Sequence, residues 1–185
     1  ITMGSLAAGT YVIVVEGFSG ATGAYDLTIT TSNCATPMVY SSCTSTQTNT
    51  SGVQQCATSA EIIGVEIVTT GATSPLSATQ FRVNMNGTTN TGDVSLISIY
   101  YTGNTAVYSP SNLFGTVAPA GGNLLVNGTQ TLASGTNYFW VVYTINGVPT
   151  VGNLLDARCN RTTVAGTDYV PTTTNPAGSR AIVIC

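Results

Sequence analysis

From residue 38 onward, short runs of β-branched, aromatic and aliphatic residues alternate with clusters of Gly, Asn, Pro and Ser. Nowhere do apolar positions recur at the 3.6-residue spacing of a helix over eleven or more residues. The runs predict strands at 38–46, 61–69, 79–85, 94–101, 113–117, 123–126, 137–145, 155–164 and 181–185. Between them Asn86-Gly87, Gly103-Asn104, Ser109-Pro110, Gly121-Gly122, Asn127-Gly128 and Asn146-Gly147 supply turn chemistry, including residues that tolerate positive φ. So many short antiparallel strands pack most naturally as two sheets, and the expected fold is an all-β, two-sheet antiparallel sandwich of Ig-like or jelly-roll-like form. Trp140, flanked by Phe139 and Tyr138, is expected on a central strand.

Two further strand candidates, 10–16 and 24–31, are joined by a glycine-rich turn at 17–23 and read as a hairpin. Two strands are marginal alone. Residues 1–33 therefore read as the end of an incomplete β module that a preceding segment or another chain completes, with 34–37 as linker and 38–185 as the sandwich.

Charge changes the picture most by its scarcity. Charged residues make up 6% of the chain, against about 25% in an ordinary soluble domain. There is no histidine and no lysine, and the four cations are Arg82, Arg158, Arg161 and Arg180. Proton transfer near neutral pH usually recruits His, Lys or a perturbed carboxylate. The seven acids are scattered singly, so an enzyme is not expected, and no cofactor motif is present. Without clustered cations, neither nucleic acid nor an anionic membrane surface is an expected partner. No apolar run approaches the roughly 18 residues of a membrane helix, and residues 1–4 have no signal-peptide pattern, so the chain reads as processed or as part of a longer polypeptide. Solubility must come from Thr, Ser, Asn and Gly, the chemistry of an extracellular β surface. So uncharged a surface also puts little repulsion between copies.

Five cysteines without CxxC spacing or histidine fit disulfides better than a zinc site. Cys43 and Cys56 bracket a polar loop and are expected to pair, as are Cys159 and Cys185, which both lie on predicted strands. That leaves Cys34 unpaired or intermolecular, although connectivity is not fixed by sequence.

Other candidates are thinner. Asp93 with Asn86 and Asn90 forms an oxygen-rich loop that suggests calcium, but calcium takes about six to eight oxygens and Asn or Asp in a turn usually bonds its own backbone. Glu61 and Glu66, five apart on one strand, are expected on opposite faces and so not as a glycosidase pair. Among Tyr100, Tyr101, Tyr108, Tyr138 and Tyr143, some should offer stacking faces to a sugar; Tyr101 and Tyr108 are the candidates. Asn49, Asn86, Asn127 and Asn160 begin sequons that a chain this rich in Asn and Thr also produces by chance.

The stretch Leu6-Ala7-Ala8-Gly9-Thr10-Tyr11, continuing through Tyr25-Asp26-Leu27-Thr28-Ile29, resembles the closing strands of bacterial pre-peptidase C-terminal domains. Residues 38–182 resemble the N-terminal domain of BNR-repeat neuraminidases, also repeated in large bacterial surface proteins. The resemblance is carried by Glu61-Ile62-Ile63-Gly64-Val65-Glu66, Pro75-Leu76-Ser77-Ala78-Thr79, Asn86-Gly87-Thr88-Thr89-Asn90, Ile99-Tyr100-Tyr101-Thr102-Gly103, Gly135-Thr136-Asn137-Tyr138-Phe139-Trp140 and Gly152-Asn153-Leu154-Leu155-Asp156-Ala157. It implies a β-sandwich accessory module. It does not imply sialidase activity, since no Asp-box of the form Ser-x-Asp-x-Gly-x-Thr-Trp is present. The expectation is an extracellular or bacterial cell-surface module with a structural or adhesive role, partnering other copies or neighbouring modules of the same polypeptide, with strand augmentation from residues 10–31 as the means of self-assembly. The alternative is a carbohydrate-binding accessory module of a secreted enzyme, with glycans as partners.

Overall fold

A computed structural model describes residues 36–185, together with the single positions Val12 and Gly23. The chain divides into a unit Ile1–Ala35 and a unit Thr36–Cys185, and the second is the subject here. The expected hairpin at 10–31 and Cys34 lie outside the described residues.

The strands are β1 (Val39–Thr46), β2 (Val53–Gln54), β3 (Ala60–Thr70), β4 (Ser77–Asn84), β5 (Val94–Tyr101), β6 (Leu113–Val117), β7 (Asn123–Thr131), β8 (Gly135–Ile145), β9 (Leu154–Leu155), β10 (Arg158–Val164), β11 (Thr167–Tyr169) and β12 (Arg180–Val183). A five-stranded antiparallel sheet in the order β1-β3-β8-β5-β6 packs on a four-stranded one in the order β11-β10-β4-β7. A small third sheet, β2-β12-β9, holds the last strand, with β12 parallel to β2 and antiparallel to β9. The result is the expected all-β sandwich.

The period-2 pattern explains the layers. On β8 the inward set Asn137, Phe139, Val141, Tyr143 and Ile145 is buried. It meets Phe81 and Val83 of β4 and Val126 of β7, all nearly inaccessible. Phe81, Phe114 and Phe139 form the aromatic centre, with Phe81 and Phe114 edge to face at 5.0 Å. Burying one such ring contributes about 1.5–3 kcal/mol.

Two glycines bring the sheets together at one side. A Cβ at Gly115 on β6 would stand 2.2 Å from the Asn127 carbonyl, and one at Gly128 on β7 would stand 2.2 Å from the Phe114 carbonyl. The expected turn at Asn127-Gly128 is therefore absent. β7 continues through it, with a register shift against β4 opposite Thr79, and glycine serves close backbone approach rather than positive φ.

The cysteine pairing differs from expectation. Cys56 is bonded to Cys185, while Cys43 and Cys159 are buried thiols, so neither Cys43–Cys56 nor Cys159–Cys185 forms. Cys43 points from β1 into the core opposite Ile67, and Cys159 points in from β10 opposite Val83. Cys56 instead follows β2, beside which β12 lies in parallel with Ile182 opposite Val53, and that pairing delivers Cys185 to it.

Candidate functional site

The outward set of β8 is Tyr138, Trp140, Val142 and Thr144, on the solvent side of the five-stranded sheet. Trp140 lies over Gly64 of β3. A Cβ there would come within 3.1 Å of indole Cζ3 and 3.0 Å of Thr46 Oγ1, so the ring packs closely on the bare glycine. The indole Nε1 donates to Thr102 Oγ1 at 2.8 Å, fixing the ring against the loop after β5. Tyr138 stacks alongside at 6.3 Å and 14° between planes. Tyr108 stands edge-on to Trp140 at 6.4 Å and to Tyr100 at 5.9 Å.

Beside these rings, the loop from β1 to β2 and the loop carrying Val107 and Tyr108 enclose a depression of about 390 Å³. Its lining includes Thr48, Asn49, Ser51, Glu61, Tyr108 and Trp140. A contiguous depression of about 320 Å³ shares Asn49, Glu61 and Tyr108 and reaches Arg180. Another, of about 510 Å³ between Cys56 and Pro149, offers neither an aromatic nor a charged side chain, so the Trp140 depression is the one with the means to orient a ligand.

Glu61 reaches this surface through a β-bulge. Opposite β8, Ala60 pairs with Tyr143 and Glu61 with Val142, but Ile63 pairs with Val141, leaving Ile62 as the extra residue. Glu61 therefore shares the outer face with Glu66, which pairs with Tyr138. The expectation of opposite faces is corrected, because the bulge inverts the parity of everything before it. The two carboxylates remain unsuited to glycoside hydrolysis: their partners Val142 and Tyr138 are four residues apart, about 13 Å along the strand, beyond the roughly 5–9.5 Å that two catalytic carboxyls span. Burial raises the Glu61 pKa, opposed by the nearby Arg180 guanidinium and by a hydrogen bond from Asn49. Tyr108 is likewise raised, first by burial, against a hydrogen bond with Ser59.

Arg180 is only 8% exposed. Its Nε donates to the Ser51 carbonyl at 2.8 Å and its Nη1 to the Glu61 carbonyl, so β12 buttresses the floor of the depression from beneath. Arg82 and Arg161 lie across from one another on the outer face of the opposite sheet. There Arg161 is bound to Asp168 at 2.6 Å and to Gln80 at 2.6 Å.

Of the sequence candidates, Tyr108 lines the depression. Tyr101 does not. It is 8% exposed and faces the core, where its hydroxyl donates to Asn137 Oδ1 at 2.7 Å; of the consecutive pair, Tyr100 is the outward one. The calcium candidate is also corrected. Asp93 is buried, with Oδ1 accepting from Thr150 N at 3.0 Å and Oδ2 from Asn153 Nδ2 at 2.7 Å, while Asn90 Oδ1 accepts from Gly92 N at 3.0 Å. N–H donors occupy the Asp93 and Asn90 oxygens a cation would need, and at Asn86 the backbone N–H donates to Asn84 Oδ1 at 2.7 Å. No cluster of three or more His, Cys, Asp or Glu suited to a metal occurs among the described residues. No helix among them is long and apolar enough to cross a membrane. Trp140, Glu61 and Asn49 were not singled out as ligand-facing by sequence; for Glu61 the Glu-Ile-Ile triplet, with two adjacent isoleucines both buried, is the one available sign of the bulge.

Comparison with known proteins supports the same fold. Residues 53–168 match the family model described as the N-terminal domain of BNR-repeat neuraminidase. Among solved structures, a Hadza microbial sialidase, Hz136, superposes with a TM-score of 0.59 at 13% identity, covering 72% of this chain and 30% of that one. This chain thus spans under a third of that sialidase's length, and the likeness is one of fold. No curated protein matches. With the family model covering more than half of its residues, the chain belongs to the family of N-terminal domains of BNR-repeat neuraminidases.

Proposed function

We propose that this domain is a carbohydrate-binding accessory module of a secreted, sialidase-type enzyme, non-catalytic itself and serving to hold its polypeptide against glycans. The observation that carries the reading is the depression uniting Trp140, Tyr108, Glu61 and Asn49. Aromatic side chains offer apolar surface to the C–H face of a pyranose, and a carboxylate beside an amide supplies acceptors and donors for neighbouring hydroxyls. The Cys56–Cys185 disulfide supports an oxidising, extracellular setting. The alternative reading as a self-assembling fibre module rests on residues 10–31, outside the described region, and gains no support from the sandwich.

The test is a glycan array with the intact chain and with Tyr108→Ala. The expected result is retention of at least one glycan class by the parent chain and loss of roughly tenfold or more in the variant at unchanged melting temperature, since one removed stacking ring is worth about 1.4 kcal/mol or more. A parent chain that retains no glycan sinks the reading.

A further inference from the structure

The charge around the Trp140 depression specifies the class of sugar, an inference that rests on the glycan-binding reading above. The only carboxylate in its wall is Glu61. Arg180 is not part of this wall: it lines the contiguous depression, buried and with Nε and Nη1 already given to the carbonyls of Ser51 and Glu61. Arg180 also pulls the Glu61 pKa down against the effect of burial, so it offsets that carboxylate from behind, while only the carboxylate is presented to the Trp140 depression. The chain has no lysine or histidine to substitute for Arg180. Arg82, Arg158 and Arg161 belong to the opposite sheet, where Arg158 stands near Asp156 and Arg161 is paired with Asp168.

An anionic sugar entering the depression would meet the Glu61 carboxylate with no cation in that wall beside it. Two like charges a few ångströms apart in a partly desolvated site repel by several-fold to a hundredfold in affinity. A neutral hexose meets no such penalty, and its hydroxyls donate to the Glu61 carboxylate in charge-assisted hydrogen bonds. We infer that the depression takes an uncharged pyranose and rejects a sialylated one. In a sialidase-type polypeptide the module would then engage glycan ends from which sialic acid has been removed, or which never carried it, and would hold the enzyme on the product side of its own reaction rather than compete for its substrate.

The experiment is calorimetric titration of the intact chain with N-acetyllactosamine and with its sialylated counterpart, in parallel with Glu61→Gln. The inference expects the neutral sugar to bind at least about tenfold more tightly than the sialylated one. It further expects Glu61→Gln to narrow that ratio several-fold while near-ultraviolet circular dichroism shows the Trp140 environment unchanged. Equal or tighter binding of the sialylated sugar overturns the inference and leaves the glycan-binding reading standing. A ratio that is unaltered in Glu61→Gln removes Glu61 as its cause and overturns the electrostatic argument. Binding of neither sugar, together with a blank array, overturns both.

Discussion

Cutting the Cys56–Cys185 bridge is the perturbation whose size the structure sets most directly. The bond closes a loop of 129 residues in sequence separation, and in the chain-entropy model a loop of that length restricts the unfolded chain by about 5 kcal/mol at room temperature. Domains of this size are stable by only about 5–15 kcal/mol in total, so the double variant Cys56→Ser/Cys185→Ser should lose a large share of its stability. Trp140 is the single tryptophan and nearly buried, which makes its fluorescence a clean reporter of urea unfolding. With a slope of about 2 kcal/mol per molar urea, the midpoint should fall by about 2.5 M. The bridge lies next to the parallel pair β2–β12, and β12 carries Arg180. Sugar affinity should therefore decline in the variant before global unfolding. A midpoint loss equivalent to under about 1 kcal/mol refutes the reasoning; it means that the unfolded chain gains little freedom from the cut or that β12 contributes little to the cooperative unit.

Three further outcomes follow from other contacts. Asn137, wholly buried, accepts from the Tyr101 hydroxyl at 2.7 Å and from Ala133 N at 2.8 Å and donates to the Ala133 carbonyl at 2.9 Å; Asn137→Ala orphans all three and should cost about 3 kcal/mol or more in denaturant titration. Gly64→Val drives side-chain atoms into Trp140 and Thr46, and should shift tryptophan emission, cost about 1–3 kcal/mol and abolish sugar binding. The Glu61 carboxyl is raised by burial above its ordinary 4.5, so the folded state binds more protons than the unfolded one between the two values and stability falls as pH rises through that window. In Glu61→Gln the stability-versus-pH curve measured by thermal melts should be flatter there, and a parallel curve would show that the carboxyl is not desolvated.

Much of the fold was legible because an alternating pattern on turn-bounded segments has few packing solutions, and β1, β3, β4, β5, β6 and β8 lie within a residue or two of expectation. β2 and β11, at two and three residues, are too short for period 2 to register and exist by virtue of their neighbours. The run expected as one strand at 155–164 is split, since Asp156 and Ala157 leave the ladder between β9 and β10. Asn127-Gly128 misled because glycine marks both turns and close approaches, and only the proximity of β6 distinguishes them. Disulfide connectivity was illegible for a similar reason: Cys43 and Cys159 sit at inward positions whose direction depends on register, while Cys56 and Cys185 meet through a parallel pairing between chain segments 129 residues apart.

The site shows the same dependence on register in its sharpest form. If β3 ran unbroken, Glu61 and Glu66 would face opposite ways, and a carboxylate would be driven into the Phe81–Phe139 core, where an unpaired charge costs several kcal/mol. One inserted residue resolves this. Ile62 takes up the bulge, and both isoleucines are buried. Glu61 is turned outward beside the indole, while its backbone carbonyl accepts from the Arg180 guanidinium. The bulge that protects the core is thus the feature that gives the depression its carboxylate. In a chain with so few charges, that single placement decides the electrostatic sign of the ligand the depression accepts.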